Sequence, residues 1–347
     1  MKLGVKITLI VLVAFLLSII LAFAVCEGLA SRINDRTEPI GALSSWQSQI
    51  KDETLLKSVA MPGAHDAGTK GMAWFSETQD RDIADLLACG TRYLDFRIKV
   101  QKGEARMYHG PAVSLYLKDM LRDVRDFLIA NPSEAVILDF QKFAKEDAKG
   151  ATLGLLDEYL KDMLIVNDTD KTDIEFVDTL TLGEARGKCI VFWGSIDGTA
   201  LTDEIFLRNN DKGTRYEGCM ASLQSYYKQS WNWYYSSKDY IKKALPSYIQ
   251  MYDELNHGQG LFVLQGQLTD GALVFGPRYR EACHEKNMNA YVYGLAENES
   301  LGQINIIIRD FISPSKNAYT LRLNLAKGIV KDGCVEAYES MIANYIG

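Results

Sequence analysis

Short apolar runs separated by helical stripes recur along the chain, and this serial order limits the fold more than any other feature. Strand-like runs are read near 57–62, 92–98, 104–109, 135–141, 188–194, 219–224, 261–267 and 304–311. Between them, Leu117, Met120, Leu121, Val124, Phe127 and Leu128 recur at helical spacing, as do Leu153, Leu156, Tyr159, Leu160 and Met163. Strands that alternate with helices favour a parallel sheet covered on its faces. Eight of them suit an α/β fold of the (β/α)8 barrel type. The 98–104 connection is too short for a helix and reads as a hairpin, so the barrel is expected to be irregular there. A chain of 347 residues with 47% apolar content can fill one large barrel or two ordinary domains. No linker-like break or internal repeat interrupts the run, which favours the single barrel.

The N-terminus is of another kind. Ile7 to Val25 are nineteen uncharged, mostly apolar residues preceded by Lys2 and Lys6, long enough to span a bilayer. A cleaved signal peptide usually has a shorter apolar region, yet Ala22-Phe23-Ala24 is an A-x-A sequence. The expectation is a signal anchor at residues 1–26, with a cleaved signal as the alternative. Both keep the lysines inside and place the rest outside the cytoplasm, anchored or secreted. Residues 27–44 read as a linker and 45–347 as the barrel. Without Lys2 and Lys6 the chain carries 36 basic and 45 acidic residues, a net −9. That balance, without a basic cluster, argues against nucleic acid. The six cysteines show no CxxC or zinc spacing. Cys89, Cys189 and Cys219 read as small core residues.

Three stretches carry chemistry-bearing side chains. Met61-Pro62-Gly63-Ala64-His65-Asp66-Ala67-Gly68-Thr69 follows an apolar run, and its Pro-Gly reads as strand-to-loop punctuation. Its glycines are read as letting the backbone bend. Neighbours on an extended segment point opposite ways, so His65 and Asp66 are expected to serve different partners. Arg92 to Ile98 alternates: Leu94, Phe96 and Ile98 share one face, Tyr93, Asp95 and Arg97 the other. Met107-Tyr108-His109-Gly110-Pro111 repeats the pattern of a histidine at a strand end. Only four histidines exist, and the other two, His257 and His284, carry no motif and read as surface or capping residues. In a barrel the C-terminal strand ends carry the chemistry, and His65, Arg97, His109 and Asp310 all fall there. Two histidines with an arginine and no evident metal set suit phosphodiester cleavage by an internal hydroxyl, with one histidine as base and one as acid. The arginine fork would hold the phosphoryl oxygens.

PGAHDAGT, RYLDFR and YHGP, in this order, resemble the X domain of the phosphatidylinositol-specific phospholipases C, in particular the bacterial, metal-independent type. The likeness continues through Asn131 to Glu134, Arg186-Gly187-Lys188 and Ile308 to Phe311, over about residues 45–345. It implies a distorted barrel, no cofactor and no metal. It implies a phospholipid substrate met at a membrane surface, with no obligate protein partner evident. His65 then matches the general base on the inositol 2-hydroxyl and Asp310 the carboxylate that orients it. His109 matches the general acid, Asp66 its partner and Arg97 the phosphate-binding arginine. The implied products are diacylglycerol and a cyclic inositol phosphate. Calcium-dependent relatives place a carboxylate where Arg97 stands. Asp95 would either hold the Arg97 guanidinium or form a structural salt bridge. Asp139 is read as hydrogen-bonded structure before metal ligand.

The headgroup side departs from the resemblance. Bacterial relatives use a lysine, an arginine and an aspartate where Gln141, Gly194 and Ser225 stand here; Lys142 is expected to face away. Tyr227 matches the aromatic that stacks on the ring. Trp74 and Phe75 read either as a lipid-contacting rim or as helix packing, and Trp231, Trp233, Tyr234 and Tyr235 more as packing. The remaining alternatives are a phosphodiesterase for another headgroup and a catalytically weak lipid-binding relative.

Overall fold

The computed structural model describes residues 3–33, 37–194, 203–209, 221–227, 236–268 and 276–346. Ten strands lie among the described residues: β1 Met61–Ala64, β2 Tyr93–Gln101, β3 Glu104–His109, β4 Ala112–Tyr116, β5 Val136–Phe143, β6 Cys189–Trp193, β7 Ile205–Leu207, β8 Leu223–Ser225, β9 Leu261–Gln265 and β10 Ile306–Arg309. Eight of them pair in parallel in the order β7-β6-β5-β2-β1-β10-β9-β8. A single bridge from Arg208 to Leu223 joins the two ends, so the strands follow chain order around a barrel. β3 and β4 leave the ring as an antiparallel excursion from β2.

The expected barrel is therefore present, but several strand assignments change. The run 104–109 is a strand outside the ring, and β7, which completes the eight, was not expected. β7 is three residues long, too short for an alternation signal to emerge from sequence. The run expected at 57–62 also moves: Leu56–Ser58 is a 3-10 turn and the strand begins at Met61. Pro62 and Gly63 lie inside β1 rather than ending it. β1 starts pairing with β2 at Gly63, so the missing Pro62 N–H removes no ladder bond. Its carbonyl still accepts from Arg92 N at 2.9 Å. Gly63 is required by packing, not bending: a Cβ there would lie 2.7 Å from Ile308 Cγ2 and 3.0 Å from Tyr93 Cδ1.

Side chains sort by strand parity. Met61, Tyr93, Ile137, Ile190, Phe192, Phe206, Leu223, Leu261, Val263, Ile306 and Ile308 fill the interior with a plug from Leu43, Trp46 and Ile50. Their neighbours Leu94, Phe96, Leu138, Phe140 and Val191 pack outward against the stripe of helix Leu117–Ala130. Phe262, Leu264 and Ile307 do the same beneath helices Leu245–Asn256 and Pro277–Gly294. Helix Leu3–Ile33 is long and apolar enough to cross a membrane, and it contacts helix Pro277–Gly294.

Of the cysteines read as core residues, Cys89 and Cys189 are buried free thiols, and Cys219 lies outside the described residues. His257 is exposed and ends helix Leu245–Asn256 in a left-handed turn, φ 53°. His284 is not a surface residue: it is fully buried, with Nδ1 on Ser237 Oγ at 2.8 Å and Nε2 on the Gly266 carbonyl at 3.0 Å.

Gly63→Ala is expected to cost about 1–3 kcal/mol, because its new methyl meets two interior side chains. Urea unfolding followed by circular dichroism measures this, and an unchanged midpoint would contradict the packing argument.

Candidate active site

The inward positions turn from apolar to polar toward the C-terminal ends of the strands. Continuing the parity of β1 inward from Met61 and Gly63 brings His65; β2 gives Tyr93, Asp95 and Arg97; β10 gives Ile308 and Asp310. A register shift between Phe96 and Arg97 in the β2–β5 pairing sets Arg97 opposite Lys142. It leaves Gln141 to reach inward, where its Oε1 accepts from Arg97 Nε at 2.7 Å. Lys142 is exposed, as expected.

His65 Nδ1 lies 2.7 Å from Asp310 Oδ1. A carboxylate at that atom keeps the proton on Nδ1 and leaves Nε2 as the working nitrogen. His65 and Asp66 do meet, contrary to expectation, with Nε2 3.3 Å from Asp66 Oδ2. The extended chain ends at Ala64 and Asp66 is left-handed, φ 47°, so alternation no longer applies and the carboxylate folds back. This turn is held by Asp66 N on Asp95 Oδ2 at 3.3 Å, Ala67 N on the Asp95 carbonyl at 2.8 Å and Thr69 Oγ1 on the Asp66 carbonyl at 2.9 Å.

Asp66 is the centre of the site. Its Oδ1 lies 2.8 Å from Arg97 Nε, and its Oδ2 faces His109 Nε2 at 3.7 Å as well as His65. His109 Nδ1 donates to the Ser76 carbonyl at 2.8 Å. Because a carbonyl only accepts, Nδ1 keeps its proton and Nε2 exchanges. Both working nitrogens thus face one carboxylate oxygen, with a guanidinium on the other.

The charges follow from this crowding. Burial alone would push the His65 pKa down, but Asp66 and Asp310 outweigh it and hold it at about 9. Burial would raise Asp66, yet Arg97, then His65 and His109, keep its carboxyl below the ordinary value. Burial, and then the Asp66 charge, push Asp95 up to about 7. Asp95 gives its oxygen to the Asp66 amide, which makes it a brace for the Asp66 turn. Ligand-type atoms of His65, Asp66 and Asp95 lie within 4.8 Å of one another, and the Arg97 guanidinium already supplies a cation to that cluster.

On the headgroup side, Ser225 Oγ accepts from Gln265 Nε2 at 2.6 Å. Tyr227 is half-buried just past β8. Asp139 is structural: its Oδ2 accepts from Tyr93 Oη at 2.5 Å and its Oδ1 pairs with Arg208 Nε at 3.0 Å. Arg208 and Gln265 were missed by sequence reasoning. Gln265 follows from the parity of β9; Arg208 follows β7, whose brevity hid it. The Arg208 stem passes 4.0 Å from where a Gly194 Cβ would stand. An arginine from the next strand thus fills space that Gly194 leaves. Trp74 and Phe75 are 40% and 42% exposed and meet edge to face, next to the Ser76 that holds His109. Trp231, Trp233, Tyr234 and Tyr235 lie outside the described residues.

Residues 61–194 match the family model "Phosphatidylinositol-specific phospholipase C, X domain". The matched stretch resembles the X domain of this family. It is 23% identical over 296 residues to a 1-phosphatidylinositol phosphodiesterase of Listeria monocytogenes, covering 82% of this chain and 87% of that protein. The solved phosphatidylinositol-specific phospholipase C from Listeria monocytogenes superposes with a TM-score of 0.63 at 21% identity, over 81% of this chain and 98% of that one. That likeness carries the fold, and it agrees with the barrel described above. A variant-surface-glycoprotein phospholipase C of Trypanosoma brucei brucei is 29% identical over 28% of this chain and 39% of its own length. The family read from the PGAHDAGT, RYLDFR and YHGP motifs is thus the one found.

The two buried histidines are expected to titrate in opposite directions, and the signs differ for stability. His65, raised to about 9, stabilises the fold below pH 6.5, and that contribution is lost as pH rises through 9. His284, lowered to about 4 chiefly by burial, stays neutral in the fold and costs stability as pH falls from 6.5 toward 4. Histidine NMR titration of the ligand-free protein checks both, and Asp310→Asn should bring the His65 midpoint down. Two midpoints near 6.5 would contradict the electrostatic account.

Proposed function

We propose that the protein cleaves an inositol phospholipid, or a glycosylated inositol lipid, by attack of the inositol 2-hydroxyl on phosphorus. The products are diacylglycerol and a cyclic inositol phosphate. The observation that carries this reading is the sharing of one buried carboxylate by two histidines and an arginine. In this reading residues 45–347 are the catalytic barrel and residues 1–26 an anchor or signal segment that leaves the barrel outside the cytoplasm.

In the form with His65 neutral, the minor one below its pKa of about 9, Nε2 takes the hydroxyl proton as the oxygen attacks. Asp310 keeps the imidazole in the required tautomer and stabilises the cation that forms. Loss of the diacylglycerol oxygen is assisted by a proton from His109 Nε2. The Arg97 guanidinium, fixed by Asp66 and Gln141, binds the non-bridging oxygens and stabilises the charge of the five-coordinate phosphorus. Asp66 sets the electrostatic balance between the three cations. Because Arg97 already occupies the carboxylate, a divalent metal has no required place in this scheme, and Trp74 with Phe75 supplies the lipid contact.

Headgroup selection rests on Gln141, Gly194, Ser225 and Tyr227, with Arg208 and Gln265 beside them. Gln141 is engaged by Arg97, Ser225 by Gln265, and the Arg208 that fills the Gly194 space is paired with Asp139, so these three positions themselves carry no charge where bacterial relatives do. Similarity to a phospholipase C named for a surface glycoprotein supports admission of a larger headgroup.

His65→Ala and His109→Ala are each expected to lower turnover by about 10²–10⁴-fold on phosphatidylinositol. With an activated leaving group only His109→Ala should recover, since little protonation is then needed. Chelator should leave the wild type unchanged. Arg97→Lys should lose most activity, since a point charge does not replace a planar fork; strong calcium activation would sink this part. Phosphorus NMR on a lipid panel tests the whole reading. A cyclic phosphate from at least one inositol lipid and nothing from phosphatidylcholine is expected, and efficient release of phosphocholine would overturn it.

A further inference from the structure

The turn that carries Asp310 has a buried cation beneath it. Phe311 is left-handed, φ 46°, which a bulky residue adopts only when its surroundings enforce it. Three backbone or side-chain anchors hold the outer side: Phe311 N on the Thr78 carbonyl at 2.7 Å, Ile312 N on Gln79 Oε1 at 3.0 Å, and the Arg278 guanidinium 4.2 Å above the Phe311 ring. The inner side is held by one group. Lys316, on the first turn of helix Pro314–Ala326 and 2% exposed, donates from Nζ to the Asp310 carbonyl at 3.0 Å and the Phe311 carbonyl at 2.8 Å. Its third partner is Glu281 Oε1 at 2.8 Å, from helix Pro277–Gly294, with Arg309 on the same oxygen at 3.1 Å. Three protons meet three acceptors, so the ammonium is fully satisfied away from water.

A buried ammonium is an expensive way to brace a turn that apolar packing could also fill. What the ammonium adds is direction: the Asp310 and Phe311 carbonyls converge on one point, which fixes the peptide planes on both sides of Phe311, while Gln79 Nε2 on the Arg309 carbonyl at 2.8 Å holds the plane before Asp310. The Asp310 carboxylate then has one line of approach to His65 Nδ1. We propose that Lys316, supported by Glu281, is a positioning residue for the His65–Asp310 pair. It acts through the Asp310–Phe311 backbone and touches no substrate. The inference rests on His65 as the base in the proposed function, and it adds a third layer behind that pair.

The test uses the full-length protein in detergent micelles. Lys316→Met should lower kcat on phosphatidylinositol about 10–100-fold with KM changed less than threefold. It should also abolish or shift upfield the low-field His65 Nδ1 proton resonance, which a purely structural role would not move. Because Lys316→Met leaves Glu281 with Arg309 as its one ion-pair partner among the described residues, the double variant Glu281→Gln/Lys316→Met is made in parallel to relieve the under-compensated carboxylate. Recovered thermal stability in the double variant, with the kcat loss and altered resonance retained, supports positioning. Wild-type kcat and an unmoved resonance in either folded variant overturn it, and so does failure of both to fold, which would make Lys316 part of the framework alone. Absence of lipid cleavage by the wild type defeats the proposed function instead, while the resonance comparison still decides the role of Lys316.

Discussion

A single buried carboxylate, that of Asp66, organises the upper half of the barrel. Left alone at 0% exposure it would be strongly disfavoured as an anion. Three cationic or protonatable groups from three different segments converge on it: His65 beside it, Arg97 from β2 and His109 from β3. None of those segments can move without uncovering the charge. The same constraint explains the left-handed backbone at Asp66 and the burial of Asp95, whose oxygen braces that turn.

The second layer is the set of acceptors that fix the imidazole rings. His65 is tied to Asp310 and His109 to the Ser76 carbonyl, so each ring presents Nε2 to the shared carboxylate. Gln79 joins the two sides, donating to the His65 carbonyl at 3.0 Å and the Arg309 carbonyl at 2.8 Å. The exposed Trp74–Phe75 pair sits on this same segment. The surface proposed to engage lipid and the backbone that orients the proposed acid are therefore one or two residues apart. In the proposed reaction this keeps the leaving oxygen of a membrane lipid within reach of its proton donor.

Much of the architecture was legible because barrels obey parity. Alternation alone puts Tyr93, Asp95 and Arg97 on one face and Leu94, Phe96 and Ile98 on the other; the barrel makes the first inward and the second outward. The helical stripe from Leu117 to Leu128 was equally plain. Illegible elements share physical causes. β7 is too short to show a period, and Arg208 was lost with it. Pro62-Gly63 looked like an interruption because the unpaired side of Pro62 and the close approach of Ile308 to Gly63 are properties of neighbouring strands. His284 carries no motif, and only the carbonyl of Gly266 and the hydroxyl of Ser237 make its burial tolerable.

By itself the sequence determined most of the strand–helix order, the hydrophobic N-terminal segment, the likeness to the family, and which polar side chains stand at or just past the ends of β1, β3 and β10 and on one face of β2. These are local properties: periodicity, punctuation and short motifs are written within a few residues. Only the tertiary structure decided that Asp66 turns back onto His65, that Arg97 is braced by Asp66 and Gln141, and that Lys316 lies beneath Asp310. Each of these depends on a backbone turn or register shift supported from far away in sequence: Asp95 for the Asp66 turn, Gln141 for Arg97 and Glu281 for Lys316. The energy that selects it comes from pairing charges within a buried space, which no local pattern encodes.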